Sequence, residues 1–485
     1  MIKLSISLDH PMDINKRKNI CCIGAGYVGG PTMSMIALKC PNIIVTVVDI
    51  DQKRIDDWNS FDLTKLPIYE PGLDEIISKV RGKNLFFSTD IKSSISSADI
   101  IFLSVNTPSK EKGLGQSLGK ASNLEYLEKS VREIAKYSNG HTIIVEKSTV
   151  PVKTAETIKL ILNSSESNHT NIKKSYSVIS NPEFLAEGSA IQDLEKPDRV
   201  LIGGEDMESI NEIANLYNEW VPEKKIIKTN LWSSELSKLA ANAFLAQRVS
   251  SINSISAICE KTGADINEVA KAIGADKRIG SEFINAGPGF GGSCFKKDIL
   301  SLIYLCNFYR LDEVAKYWES VIKINDWQQE RISNIIIEKL FGTVVGKKIA
   351  IFGFAFKANT NDTRESPAIK IVQNLLLEGA NLSIYDPQVN MDKINAELSN
   401  CISDFLFEID NYSCCKANSV EEAVENSDAI IILTEWKEFK KLEWEKLFCL
   451  MRKPSWIFDT RNVIENITPN YPGINFWIVG RDLEN

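Results

Sequence analysis

The chain has 485 residues, 44% of them hydrophobic and 25% charged, which is ordinary for a soluble globular protein but too long for one core, so two or three domains are expected. Its 56 Lys and Arg against 64 Asp and Glu leave a net charge of -8, which argues against a general nucleic-acid binder yet permits an anionic small molecule held by local positive charge. No apolar run is long enough to span a bilayer, and the polar residues 1–18 lack a signal-peptide core, so a cytoplasmic protein with reduced thiols and no membrane partner is expected.

The ten cysteines are scattered, with no Cys-x-x-Cys or Cys/His cluster, so no metal site is expected. The three histidines, His10, His141 and His169, read as ordinary structural residues. Acid–base work must then fall to Lys, Asp, Glu or water. Asn-x-Ser/Thr triplets at Asn163, Asn168 and Asn466 read as chance in a chain not routed for secretion.

In chain order, a strand over 18–23 runs into Gly24-Ala25-Gly26-Tyr27-Val28-Gly29 and then a small-residue helix from Pro31 to Lys39. A β-branched strand over 43–48 ends at Asp49, 20 residues beyond Gly29. That is the dinucleotide fingerprint in its proper context. Gly24 permits the tight turn, Gly26 the approach of a pyrophosphate, and Gly29 close helix–strand packing. Asp49 suits a ribose hydroxyl and favours NAD over NADP, since a 2′-phosphate would meet its charge. Arg54 either covers the adenine or contacts the ribose, or is a solvated surface residue.

Further strands are read at 85–87, 99–105, 142–146 and 176–180. Their polar tips, Val105-Asn106-Thr107-Pro108 and Lys147-Ser148-Thr149-Val150-Pro151, should face the cofactor beyond the carboxyl ends of the sheet. Segments 109–120 and 163–175 read as surface loops. Asn181-Pro182 reads as a helix start, which would set Glu183 and Glu187 on one helical face; two solvated glutamates are the plainer alternative.

From Trp232 a long helix runs to about Gly263, with Lys238 and Asn242 on one face and a close-packing stretch of alanines. Downstream, Gly287-Pro288-Gly289-Phe290-Gly291-Gly292-Ser293 leads to Cys294 and an apolar helix. A thiol at a helix start beside Lys296 and Lys297 is in a setting that favours the nucleophilic thiolate, and Asp298 would project one turn on from the same face. A buried structural cysteine is the plainer alternative. Strands at 347–353, 382–386, 429–433 and 456–459 repeat the first half's rhythm without its glycine fingerprint, and Lys357, Arg364 and Arg461 follow strand ends where cations meet phosphates. The fold expected is α/β, with two Rossmann-like domains (1–231 and 341–485) joined by a long-helix segment, 232–340.

These stretches together, with Pro197 through Gly204, Ser233 through Arg248 and Asp362-Thr363-Arg364-Glu365-Ser366, resemble the UDP-glucose 6-dehydrogenases of the UDP-glucose/GDP-mannose dehydrogenase family over nearly the whole chain. The run from Ser233 to Arg248 is more similar to the eukaryotic branch than to relatives acting on GDP-mannose or UDP-aminosugars. The resemblance implies two successive NAD-dependent oxidations of UDP-glucose to UDP-glucuronate. It assigns Cys294 as nucleophile, Lys238 and Asp298 to deprotonation, Glu183 to hydrolysis, Asn242 with Lys238 to the oxyanion, and Thr149 to the water.

For the cofactor it adds Ser148, Glu187, Lys297 and Arg364 to the residues above. For substrate it adds Phe184, Leu185, Ala186, Asn285, Gly289, Phe290, Gly291, Phe356, Lys357 and Arg461. It also adds Arg278, reaching a neighbouring subunit's site. A homo-oligomer built on dimers, up to a hexamer, is implied as well. The chain departs from the animal pattern at Asn285 and Ala358, where animal members usually have Lys, and at Pro288.

Overall fold

Short apolar, β-branched runs form two largely parallel sheets, each covered by helices on both faces, and this explains strands that are mostly apolar throughout rather than alternating. The computed structural model describes residues 18–110, 119–164, 174–402, 413–464 and 471–482. His10, His169, Asn168, Asn466, the polar leader and most of the two surface loops read from sequence lie outside the described residues.

The first sheet contains β1 (Asn19–Ile23), β2 (Ile44–Val48), β3 (Leu85–Ser88), β4 (Ile100–Leu103), β5 (His141–Glu146), β6 (Ser175–Ser180), β7 (Val200–Gly203) and β8 (Ile226–Thr229). Their order is β3-β2-β1-β4-β5-β6-β7-β8. Every pairing is parallel except β6 with β7, which meet antiparallel at Ser180 and Gly203. Ile20 pairs in register with Val45 on one side and Ile100 on the other. The chain reverses its direction of travel across the sheet between β1 and β4, so the loops after these two strands frame the crevice where such sheets bind dinucleotides.

The second sheet contains β9 (Lys348–Phe352), β10 (Asn381–Tyr385), β11 (Ser413–Lys416), β12 (Ala429–Ile432), β13 (Ser455–Asp459) and β14 (Ile474–Ile478). Its order, β11-β10-β9-β12-β13-β14, reproduces the first six strands of the first sheet. Between the sheets lie helices Leu231–Thr262, Ile266–Gly274, Phe295–Phe308 and Asp312–Lys339. The longest begins at Asn230, whose side chain accepts from Ser233 N, and ends at Gly263 with φ +75°. Ala243 and Ala246 are fully buried on it, which lets the cysteine-bearing helix pack close. No helix among the described residues is long and apolar enough to cross a membrane.

One sequence expectation is corrected. No helix starts at Asn181; residues 181–186 are irregular, and the helix begins at Ala190. The Asn181 side chain is wholly buried and engaged elsewhere, donating to Leu201 O (2.8 Å) and accepting from Lys147 Nζ (3.0 Å) and Tyr217 OH (2.7 Å). A capping residue must aim its side chain at its own helix's amides. Asn181 cannot do both, so Glu183 and Glu187 do not share a helical face. The sequence reading also passed over β7, β8, β11 and β14.

The glycine turn separates backbone demands from ligand demands. Gly24 has φ +110°, and a Cβ there would lie 2.2 Å from Ser104 O; one on Gly29 would lie 2.0 Å from Gly24 O. A Cβ on Gly26 would meet no heavy atom within 4 Å. Gly24→Ala is therefore expected to lose about 3 kcal/mol of stability or more, from left-handed strain plus a clash. Gly26→Ala should stay within about 1 kcal/mol of wild type yet bind NAD at least about tenfold more weakly, because its methyl intrudes only on a ligand. Urea unfolding and NAD titration of both variants check this pair.

Candidate active site

The site is built where three segments meet: the first sheet's strand ends, the long helix Leu231–Thr262, and the turn entering helix Phe295–Phe308. Cys294 occupies the N-cap position of the latter helix and is exposed. Its carbonyl accepts from Asp298 N (2.8 Å), which sets Asp298 one turn on from the thiol. Asp298 is 1% exposed, and its Oδ2 accepts from Asn242 Nδ2 at 2.6 Å. Burial pushes its carboxyl above the usual carboxylate range, opposed by the charges of Lys297 and Lys238 and by the Asn242 bond.

Lys238 lies one helical turn before Asn242, 7% exposed. Among the described residues its ammonium makes no hydrogen bond or ion pair, lying 5.2 Å from the Phe184 ring centroid. Burial lowers its pKa; the nearby Cys294, Asp298 and Glu183 oppose that shift, and Arg199 adds to it. A buried amine of depressed pKa beside a carboxyl of raised pKa is a pair suited to passing protons near neutral pH. Glu183 accepts from its neighbour Phe184 N (2.9 Å) and pairs with Lys147 Nζ (2.8 Å). Arg199 stacks its guanidinium 3.8 Å from the Phe184 ring centroid.

The cofactor side joins onto this. Asp49 Oδ2 accepts from Ala25 N (2.9 Å) and Arg54 Nη1 (3.1 Å), so the arginine is tied to the acid at the end of β2. Ser148 Oγ donates to Val105 O (2.6 Å) and Thr107 Oγ1 to Thr149 O (2.7 Å), bringing the two polar strand tips together. Lys297 reaches them, donating to Thr107 O (3.3 Å) and Oγ1 (3.2 Å). Tyr27 spends its hydroxyl on Glu70, whose carboxylate also holds Gly188 N and Ala190 N. Open space above Gly26, the carboxylate at Asp49 and two facing polar tips fit a dinucleotide.

The glycine stretch before Cys294 is clamped from both sides. Gly287 N donates to Asn253 Oδ1 (2.8 Å), Gln328 Nε2 to Gly287 O (2.9 Å), and Phe290 N to Asn325 Oδ1 (2.8 Å). On the other side Gly292 N donates to Arg364 O (2.8 Å), and a Cβ on Gly291 would lie 2.4 Å from Glu365 O. Phe356 packs on Gly292, and Arg461 donates to Phe356 O (3.1 Å) and Leu433 O (2.9 Å). Burial lowers the Lys357 pKa, against the pull of Glu187, Glu70 and Glu435. Asn285 is exposed. Leu185 packs against the first sheet's core and Ala186 N bonds Asp193 (2.9 Å).

Arg278 is not brought to the site of its own chain: its side chain is 89% exposed and paired with Asp276 at 2.6 Å. Glu70, Tyr217, Asn253, Asn325 and Gln328 were missed by the sequence reading as site-building residues, and Lys147, read as part of a tip facing the cofactor, is instead buried and bonded to Glu183, Asn181 and Tyr217. A lysine closing the apolar strand β5 was the one signal available, since a cation there needs a buried partner.

Glu187 bridges toward the second sheet's loops, with Thr360 Oγ1 at 3.3 Å and Arg364 Nη2 at 3.4 Å. Burial and the adjacent Asp362 carboxylate push its pKa up to about 8, against the pull of Arg364 and Lys357. The folded state thus holds a proton that the unfolded chain has already released. The stability this contributes is fully present at acid pH, declines above the unfolded carboxylate's pKa and is lost as pH rises through about 8. Glu187→Gln removes that decline. The melting temperature of the variant minus that of wild type should rise by about 3 °C or more between pH 5 and pH 9, measured by differential scanning calorimetry without ligands.

Models of three domains of one family match the chain in order: the NAD binding domain over residues 18–221, the central domain over 232–327 and the UDP binding domain over 350–466. UDP-glucose 6-dehydrogenase 3 of Oryza sativa subsp. japonica is 54% identical over 477 residues, covering 96% of this chain and 97% of that protein. UDP-glucose 6-dehydrogenase 1 of Arabidopsis thaliana is 51% identical over 480 residues, covering 96% and 98%. Among solved structures, a UDP-glucose dehydrogenase from the archaeon Pyrobaculum islandicum superposes with a TM-score of 0.78 at 27% identity, covering 94% of this chain and 96% of that one. Fold, fingerprint and matches agree: NAD is the cofactor, and the chain belongs to the UDP-glucose/GDP-mannose dehydrogenase family as an NAD-dependent oxidoreductase.

Proposed function

We propose that the protein oxidises UDP-glucose to UDP-glucuronate by two successive two-electron steps through a covalent adduct on Cys294. The observation that carries this reading is an exposed thiol and an Asn-bonded aspartic acid at one helix start, near a buried lysine that makes no hydrogen bond or ion pair among the described residues. A simple alcohol dehydrogenase needs no such thiol. Identity above one half with the rice enzyme, over nearly the whole chain, supports UDP-glucose as the sugar nucleotide. NAD, when bound, supplies the hydride acceptor for both oxidations.

Lys238 and Asp298, through a water, take the proton of the C6 hydroxyl as its carbon gives up hydride, leaving the aldehyde. The Cys294 thiolate adds to the aldehyde carbon, and the resulting oxyanion is stabilised by Lys238 and Asn242. Loss of a second hydride from that carbon turns the thiohemiacetal into a thioester. Water then attacks the thioester carbon, giving up its proton with help from Glu183 while Thr149 positions it. The C–S bond breaks and frees the carboxylate product with Cys294 restored. The glycine stretch 289–291, Phe184 through Glu187, Asn285, Phe356, Lys357 and Arg461 surround the sugar and UDP.

Assembly completes the site. Arg278, exposed and paired with Asp276 in the single chain, reaches a neighbour's site in the assembly, and the central helices expose Phe244 (61%) and Tyr317 (53%) in the single chain. Such apolar exposure on packed helices fits a homo-oligomer, at least a dimer.

The test is NADH formed per UDP-glucose consumed, with sugar nucleotide limiting. Wild type should yield two NADH, and Cys294→Ser should turn over at least about a thousandfold more slowly. One NADH, or an unimpaired variant, would leave an ordinary alcohol dehydrogenase.

A further inference from the structure

Lys147 has no role in the chemistry proposed for Cys294, yet it is 3% exposed and fully bonded beside the site. It comes directly after β5, where its backbone N donates to Leu103 O (3.0 Å). Its ammonium holds Glu183 Oε2 (2.8 Å), Asn181 Oδ1 (3.0 Å) and Tyr217 OH (3.1 Å), three acceptors for three N–H bonds. Those acceptors are themselves fixed. Asn181 donates to Leu201 O (2.8 Å), Tyr217 OH donates to Asn181 (2.7 Å), and the other Glu183 oxygen accepts from Phe184 N.

We propose that Lys147 is a positioning residue for the hydrolytic step: anchored by Asn181 and Tyr217, its ammonium holds the Glu183 carboxylate in the orientation from which it accepts the hydrogen bond of the attacking water. The inference rests on the proposed role of Glu183 in hydrolysis. The titratable groups facing that carboxylate are Lys147, Lys238 and Tyr217, with Arg199 and Asp193 lining the same small cavity. Burial pushes the Glu183 pKa up, but the charge and hydrogen bond of Lys147, the Phe184 amide and Lys238 outweigh it and hold the carboxyl below its ordinary value. Lys147 is itself held up at about 12, its burial outweighed by Glu183 and Tyr217. Removing the cation frees one carboxylate oxygen and lets burial prevail. The acid limb of the rate profile then moves to higher pH.

The experiment compares wild type, Lys147→Met, Tyr217→Phe and Glu183→Gln in steady-state oxidation of UDP-glucose from pH 5.5 to 9.5. Each sample is also acid-quenched, and the acyl-enzyme is read by intact-protein mass spectrometry. Lys147→Met should lose about tenfold at pH 6 for each unit by which its limb comes to lie above pH 6, come within about threefold of wild type at pH 9, and accumulate acyl-enzyme at the lower pH. Tyr217→Phe should shift the same way by less, and it decides by the same criterion if Lys147→Met does not fold. An equal loss at every pH without acyl-enzyme, or a wild-type profile, would overturn the proposal. Wild-type turnover by Glu183→Gln would instead remove the reading of Glu183 itself. An impaired Glu183→Gln beside a wild-type profile in the Lys147 and Tyr217 variants removes only the role of Lys147.

Discussion

The long helix Leu231–Thr262 buries polar residues along its length, and each must be satisfied inside the protein. Ser234 bonds Ser180 O, Glu235 holds Lys153 N and Ala155 N, and Asn242 holds Asp298. Ser250 bonds Val321 O, and Asn253 holds Gly287 N. Each partner belongs to a different segment: the end of β6, the loop after β5, the cysteine helix, the last helix of the central segment and the glycine stretch. One rigid element therefore registers the whole site, because a shift in any of those loops leaves a buried polar group without its bond. Lys238 alone among these side chains makes no hydrogen bond or ion pair with the described residues. That exception sits where the chemistry is proposed.

The two sheets show how one topology serves two ligand classes. In both, an acid at the end of the second strand binds the turn after the first: Asp49 holds Ala25 N, and Asp386 holds Phe354 N (2.7 Å) and Ala355 N (3.0 Å). Gly353, like Gly24, has positive φ, and a Cβ on it would lie 2.3 Å from Thr434. The two turns differ in the residues next to these glycines. Gly26 leaves its crevice open, whereas Phe354 is fully buried and Asp386 also accepts from Trp436 Nε1 (3.2 Å), so the equivalent space in the second sheet is filled by its own side chains. Phe356, Lys357 and Arg461, proposed above for the UDP-sugar, follow strand ends of this sheet, and Phe356 packs on Gly292 in the turn that leads to Cys294.

Much of the fold was legible because it repeats locally. Apolar runs located ten of the strands, five of them closed by glycine or aspartate, and the small-residue run from Trp232 to about Gly263 matched the long helix within a residue or two of its ends. Of the four missed strands, the two that extend the first sheet, β7 and β8, lie beyond its usual six-strand pattern. The error at Asn181 has the same root as the missed residues. Asn-Pro is a sound local helix signal, but Lys147, Leu201 and Tyr217 compete for the same side chain, and nothing in the local sequence announces them. Glu70, Asn253, Asn325 and Gln328 were silent for that reason too: each acts on a segment far away in sequence, through a bond with no period.

Competition between burial and partners also decides how charge is distributed across the site. Asp298 and Glu187 are both pushed toward their neutral forms by burial, while Glu183, equally enclosed, is held ionised because Lys147 meets it directly. Lys238 lies near Cys294, Asp298 and Glu183 but makes no hydrogen bond or ion pair with any described residue. A carboxyl that favours holding a proton, a carboxylate that does not, and a lysine between them form a graded set, and the grading comes from which groups have a fixed partner. Leaving Lys238 without a hydrogen bond or ion pair among the described residues costs stability, and in the proposed chemistry it keeps one cation for the reacting oxygen.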